Sequence, residues 1–159
     1  MATSITLDSN NHPITQVIDC PGIQLLRYHR GFTDAEHEAF LAAASRDMAV
    51  VRKGARFVMI VDVNKASQGS SLQRQRQAEW QEQHAAYFKT HVICGVFIAG
   101  SAVLRGALRA VSWFKPFPYP IEIEDDIEHA LATALAALRH AGEPEPTATQ
   151  LELVRQAYR

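Results

Sequence analysis

The apolar and polar positions of this chain fall into short blocks whose spacing changes repeatedly, and each change marks an element. Ile14 to Cys20 and Ile23 to Arg30 are two apolar-rich runs separated by Pro21 and Gly22. Proline presets φ at the first central position of a type II turn and glycine accepts positive φ at the second, which predicts a β-hairpin. Thr33 and Glu36 stand at capping-box spacing, and His37, Phe40, Leu41, Ala44 and Met48 recur at helical intervals. A helix to about residue 49 follows. Phe57 to Val61 and Val92 to Ala99 are unbroken apolar runs, the pattern of strands covered on both faces.

Residues 65–71 are polar and contain Gly69, hence a loop, and Ser70 or Ser71 can cap a helix running to about Lys89. Ser101 opens a further helix reaching about Phe114, stopped by Pro116, Pro118 and Pro120. Ile121 to Glu124 alternates like a strand exposed on one face. Asp125 and Asp126 suit the start of the next helix, and Arg139, His140 and Gly142 suit its end. Its apolar stripe is Ile127, Leu131, Ala134, Leu135 and Leu138.

Residues 1–13 lack any period and read as a flexible tail, 14–142 as one α/β domain, 143–148 as a linker and 149–159 as a tail helix. The order is β-β-α-β-α-β-α-β-α plus a short C-terminal helix. Strands alternating with helices call for right-handed crossovers and a mixed, mainly parallel sheet with helices packed on it. Ligands of such sheets gather beyond the strands' carboxyl ends, which puts Asp62 to Ser71 and Gly100 to Arg105 on one rim.

Composition narrows the class. The 159 residues are 47% hydrophobic and 21% charged, a globular mixture, and 16 cations against 17 acids leave a net charge of -1. That balance argues against nucleic acid as the main partner. The start carries no secretion signal, and no apolar run reaches the roughly 18 residues of a membrane span. Cys20 and Cys94, the two cysteines, are expected as buried thiols, which makes the cytoplasm the expected location.

Each candidate residue has a functional and a structural reading. Ser70 and Ser71 sit where free helix amides welcome a phosphate, and equally where an N-cap belongs. Arg105 lies in a first helical turn, where the dipole disfavours a cation, and Arg109 follows one turn later; the two form an anion clamp or a solvated pair. Asp62 is a functional acid or a cap for its loop. Arg76 and Trp80, four apart, make a stacked partner face, unless Trp80 turns into the core. Trp113, Phe117 and Tyr119 surround three prolines as a lid or an exposed patch. Gly106, costly in a helix, predicts a close backbone approach. His91 and Cys94, three apart in a strand, point to opposite faces and make no dyad. Histidine spacing yields no metal site, and neither a Gly-rich phosphate loop nor a G-x-S-x-G elbow occurs. No cofactor and no catalytic residue is expected.

Taken together, the strand ending in Asp62, Arg76 followed by Trp80, Gly95, and Arg105-Gly106 followed by Trp113 resemble the STAS domain of sulfate transporters and anti-sigma-factor antagonists. The detail is more similar to bacterial SpoIIAA-like, or STAS/SEC14-like, proteins, over residues 14–141. The resemblance implies a non-enzymatic regulatory or protein-interaction module, self-association included. Its partner surfaces would be the Arg76–Trp80 helix, the 113–119 segment and the tail helix. The alternative it implies is a carrier of a small ligand or lipid, with a pocket near residues 113–119; a third reading is an enzyme using Asp62 and Arg105, with Cys94 as a further group. The antagonists of that family are phosphorylated on a serine at the matching helix start, here Ala66 to Ser71, with Ser70 and Ser71 as candidates. Their Asp-Ser-Ser/Thr-Gly stretch is absent, since Asp62 precedes Val63, Asn64 and Lys65.

Overall fold

A computed structural model describes residues 13–50 and 55–159. The tail expected over 1–13 therefore lies outside the described residues, save Pro13. Strands β1 (Ile14–Cys20) and β2 (Ile23–Tyr28) form the hairpin, and Gly22 takes a φ of +76° at its turn. Helix α1 (Asp34–Val50) follows, opened by the capping box: Glu36 N–H donates to Thr33 Oγ1 at 3.3 Å, and Thr33 N–H to Glu36 Oε2 at 2.8 Å. Then come β3 (Phe57–Asp62), α2 (Ser71–Gln83), α3 (Ala85–His91), β4 (Val92–Ile98), α4 (Ala102–Phe114), β5 (Ile121–Glu124), α5 (Ile127–His140) and α6 (Ala148–Tyr158).

The five strands lie in sequence order, β1-β2-β3-β4-β5, with only the first pair antiparallel. The two unbroken apolar runs are interior strands, as their lack of a polar face demands, and they pair with each other. Each crossover from β2 to β5 steps the same way across the sheet. Right-handed connections that all step one way must run over one face, and α1 to α4 do.

Alternation sorts the strand residues. Ile23, Leu25, Val58, Ile60, Val96 and Ile98 meet Leu131 and Leu138 of α5 and Val154 of α6. Each such side chain removed from water contributes about 1.5–3 kcal/mol. The opposite face carries Leu26, Val61 and Phe97 with Phe40 of α1 and Leu108 of α4, and beside them Phe57 and Tyr119 with Trp80 of α2 and Phe88 of α3.

Three local expectations change. The single helix expected up to Lys89 breaks at His84, whose ring nitrogen Nδ1 lies 2.8 Å from the Trp80 carbonyl. His91 closes α3 instead of joining β4, so the opposed-faces argument about His91 and Cys94 loses its premise. Nothing approaches within 4 Å of a Cβ placed on Gly106, so no close backbone contact explains that glycine. Helix α6 buries Val154 completely, with Leu151 and Tyr158 packed on the same core.

Candidate functional site

A cavity of about 160 Å³ lies between the sheet and the α1–α3 layer. Strand residues Leu26, Met59, Val61 and Phe97 form its floor, because these positions alternate onto that face. Phe40, Ala44 and Met48 recur at four-residue steps along α1 and wall one side. Trp80 of α2 and Tyr87 and Phe88 of α3 wall the other, and Phe117 and Tyr119 close the end. The break at His84 lets both α2 and α3 turn aromatic rings inward, with Trp80 and Phe88 centroids 5.5 Å apart. Phe88 to Tyr119 and Phe97 to Phe117 continue the ring contacts at 5.7 and 5.3 Å.

Gly95 makes this wall possible. A Cβ there would stand 2.7 Å from Cε2 of Tyr119, so only a glycine lets the ring lie on β4. Burial pushes the Tyr28 phenol up to about 12 and raises that of Tyr119 as well, with Tyr28 a lesser cause for the second. The remaining polar lining is four glutamines, Gln16, Gln24, Gln77 and Gln81, and one carboxylate, Asp47. No Lys, Arg or His lines the cavity.

A polar seam fastens α1 to α2 above it. Ser70 caps α2, its Oγ accepting from Gln73 N–H at 3.1 Å and donating to Asp34 Oδ1 at 2.8 Å. Buried Gln73 spans the gap, donating to Asp34 Oδ1 at 2.8 Å and to the Phe32 carbonyl at 3.0 Å. Those bonds hold the Asp34 carboxyl below its ordinary range, the Ser70 bond first. Further along, His37 Nε2 lies 3.1 Å from Gln77 Oε1, and Trp80 Nε1 donates to Ser45 Oγ at 2.9 Å.

The expected rim is brought together only in part. Asn64 joins its two loops, donating to Asp62 Oδ1 at 2.9 Å and accepting from Gly100 N–H at 2.7 Å. Asp62 faces the α6 side, 3.6 Å from the Arg27 guanidinium, which also donates to the Tyr158 carbonyl and lies over the Tyr158 ring at 4.6 Å. Burial foremost, then Asp62, pushes the Tyr158 phenol up to about 12. Arg105 is spent elsewhere, donating to the Ala99 carbonyl at 3.0 Å, and Arg109 is exposed. Ser70 instead lies at the seam, bonded to Asp34, whose carboxylate would repel an anion there.

The partner-surface residues divide too. Arg76 is exposed but pairs with Glu38 and Glu79, each at 3.2 Å, rather than stacking on Trp80. Trp80, Phe117 and Tyr119 face the cavity, and Trp113 projects from α4 into solvent. Burial, helped by Glu122, pushes the Cys94 thiol up to about 11, far from thiolate reactivity at neutral pH. Sequence reasoning missed the contributions of Tyr28, Phe40, Tyr87 and Phe88 to the site. Their aromatic density on elements that cross one face was the available signal.

No described helix is long and apolar enough to cross a membrane. No family model matches the chain, and no curated protein matches it. Among solved structures the chain is similar to an uncharacterized protein of the DUF3478 family from Shewanella loihica, described as having a SpoIIAA-like fold. The identity is 17%, the TM-score 0.61, and the match covers 80% of this chain and 98% of that one. The chain therefore has the SpoIIAA-like, STAS-type α/β fold.

Proposed function

We propose that the protein is a non-enzymatic binding module whose cavity takes a small, ring-containing, uncharged or cationic ligand. The observation that carries this reading is the 160 Å³ cavity walled by aromatic rings. A cavity near 150 Å³ is known to accept one benzene-sized molecule. The ring-lined volume is on the scale of one compact ligand. Asp47 is the one carboxylate of the lining and no Lys, Arg or His there offsets it, which selects against carboxylate ligands.

Titration calorimetry with indole, benzylamine and benzoate tests this reading. Indole is expected to bind, and benzoate to bind at least about tenfold more weakly. Ala44→Phe, which fills the cavity, is expected to abolish indole binding without lowering the unfolding midpoint. Absence of indole binding, or benzoate binding as tightly, rejects it. The partner-docking reading, which the STAS-type fold also fits, has less support, because Trp80 is turned inward and Arg76 is engaged by two carboxylates.

A further inference from the structure

Helix α1 turns one residue onto the cavity that does not belong in an apolar stripe. Phe40, Ala44, Asp47 and Met48 stand at i, i+4, i+7 and i+8, so the four share one face of the helix, and all four line the cavity. Three are apolar and the fourth is an acid. The other acids of α1 are engaged: Asp34 accepts from Ser70 and Gln73, Glu36 pairs with Arg30, and Glu38 pairs with Arg76. Half-buried Asp47 is in no ion pair among the described residues, and no Lys, Arg or His shares the lining with it.

Aromatic side chains are half of the other lining residues. The ring planes of Trp80 and Phe88 stand 69° apart, those of Tyr87 and Phe88 80°, and those of Phe88 and Tyr119 57°. Rings stacked in parallel would hide their faces on one another, whereas these stand as the walls of a box. The face of an aromatic ring is the negative end of its quadrupole and attracts a cation, more strongly where water is excluded. A carboxylate beside such a box offsets the cost of burying the charge. Hydrogen bonding then narrows the kind of cation. A primary ammonium brings three N–H donors, and beyond Asp47 and the phenols the lining side chains that can accept are four glutamines. One of these is already engaged, since Gln77 Oε1 lies 3.1 Å from His37 Nε2. A ring cation whose nitrogen is alkylated has no N–H to leave unsatisfied.

We propose that the cavity is a cage for a compact aromatic cation of the N-alkylated pyridinium class, with the rings of Trp80, Tyr87 and Phe88 around it and the Asp47 carboxylate as its counter-ion. This inference rests on the binding-module reading and names the ligand class of that same site. An N-methylpyridinium ion is little larger than benzene, the molecule for which about 150 Å³ suffices.

Calorimetry of the full chain with N-methylpyridinium and toluene tests it, because the two differ only in a cationic ring nitrogen replaced by carbon. N-methylpyridinium is expected to bind at least about tenfold more tightly than toluene. Benzylamine, which restores the N–H donors, and nicotinamide mononucleotide, which adds a phosphate to the same kind of ring, are each expected to bind at least about tenfold more weakly than N-methylpyridinium. Asp47→Asn is expected to weaken N-methylpyridinium by about tenfold and to leave indole within about twofold. Toluene bound as tightly as the cation, with indole also bound, overturns the cation assignment and leaves the binding module standing. Cation binding that Asp47→Asn does not change overturns it as well. Nicotinamide mononucleotide bound as tightly as N-methylpyridinium overturns the small free cation and assigns the cavity to a nucleotide. Binding of neither indole nor the cation overturns both readings together.

Discussion

Gly95 shows how much of a site one missing carbon can determine. In the sequence it is a glycine inside an apolar strand, which signals a close approach without saying of what. The structure supplies the neighbour: Tyr119, whose ring edge occupies the place of the absent Cβ at 2.7 Å. Gly95→Ala should force that ring aside, lower stability by about 1–3 kcal/mol in urea unfolding, and weaken indole binding. Tyr28 allows a pH test on the same wall. Its pKa in the fold, about 12 against 10.0 for the free group, lies above the unfolded value. The stability it contributes is thus complete below pH 10 and is lost as pH rises towards 12. Tyr28→Phe should flatten the fall of the unfolding midpoint over that window; an equally steep fall would show that Tyr28 does not carry it. The capping role of Ser70 was legible at this scale, because hydroxyl, position and helix start coincide. Its bond to Asp34 was not, since 36 residues separate the two.

At the scale of elements, strands and helices were legible wherever the period of apolar positions was clean. The division of α2 from α3 was not, for residues 71–91 contain neither Gly nor Pro to announce it. A histidine ring against the Trp80 carbonyl four residues back marks the break instead, a local contact that no helix-breaking residue type announces. The apolar stripe of α6 was equally plain, while its clamp was hidden: Arg27 on β2, Asp62 on β3 and Tyr158 at the helix end come together only after the sheet forms. Asp62→Asn should therefore act on α6, not on ligand binding. The expected cost is about 1–3 kcal/mol in urea unfolding, with the amides of 148–158 the first to gain hydrogen-exchange rate. If those amides keep their protection, the Arg27–Tyr158 contact suffices to hold the helix. We propose that α6 belongs to the folded domain rather than beyond a separate linker, since Val154 lies in the same core as Leu138.

For the whole molecule, the class of fold followed from alternating elements, but the order of strands did not. β3 and β4 are apolar on both sides, so periodicity alone gives neither their neighbours nor their register. The layering has a further consequence. Helices α1 to α4 arrive between strands and cover their face as the sheet grows, whereas the other face waits for α5 and α6. A nascent chain that has left the ribosome only as far as Glu124 can complete all five strands yet presents Ile23, Leu25, Val58, Ile60, Val96 and Ile98 bare to water. Synthesis therefore passes through an interval in which half the core is sticky, and chaperones are most needed before residue 127 emerges.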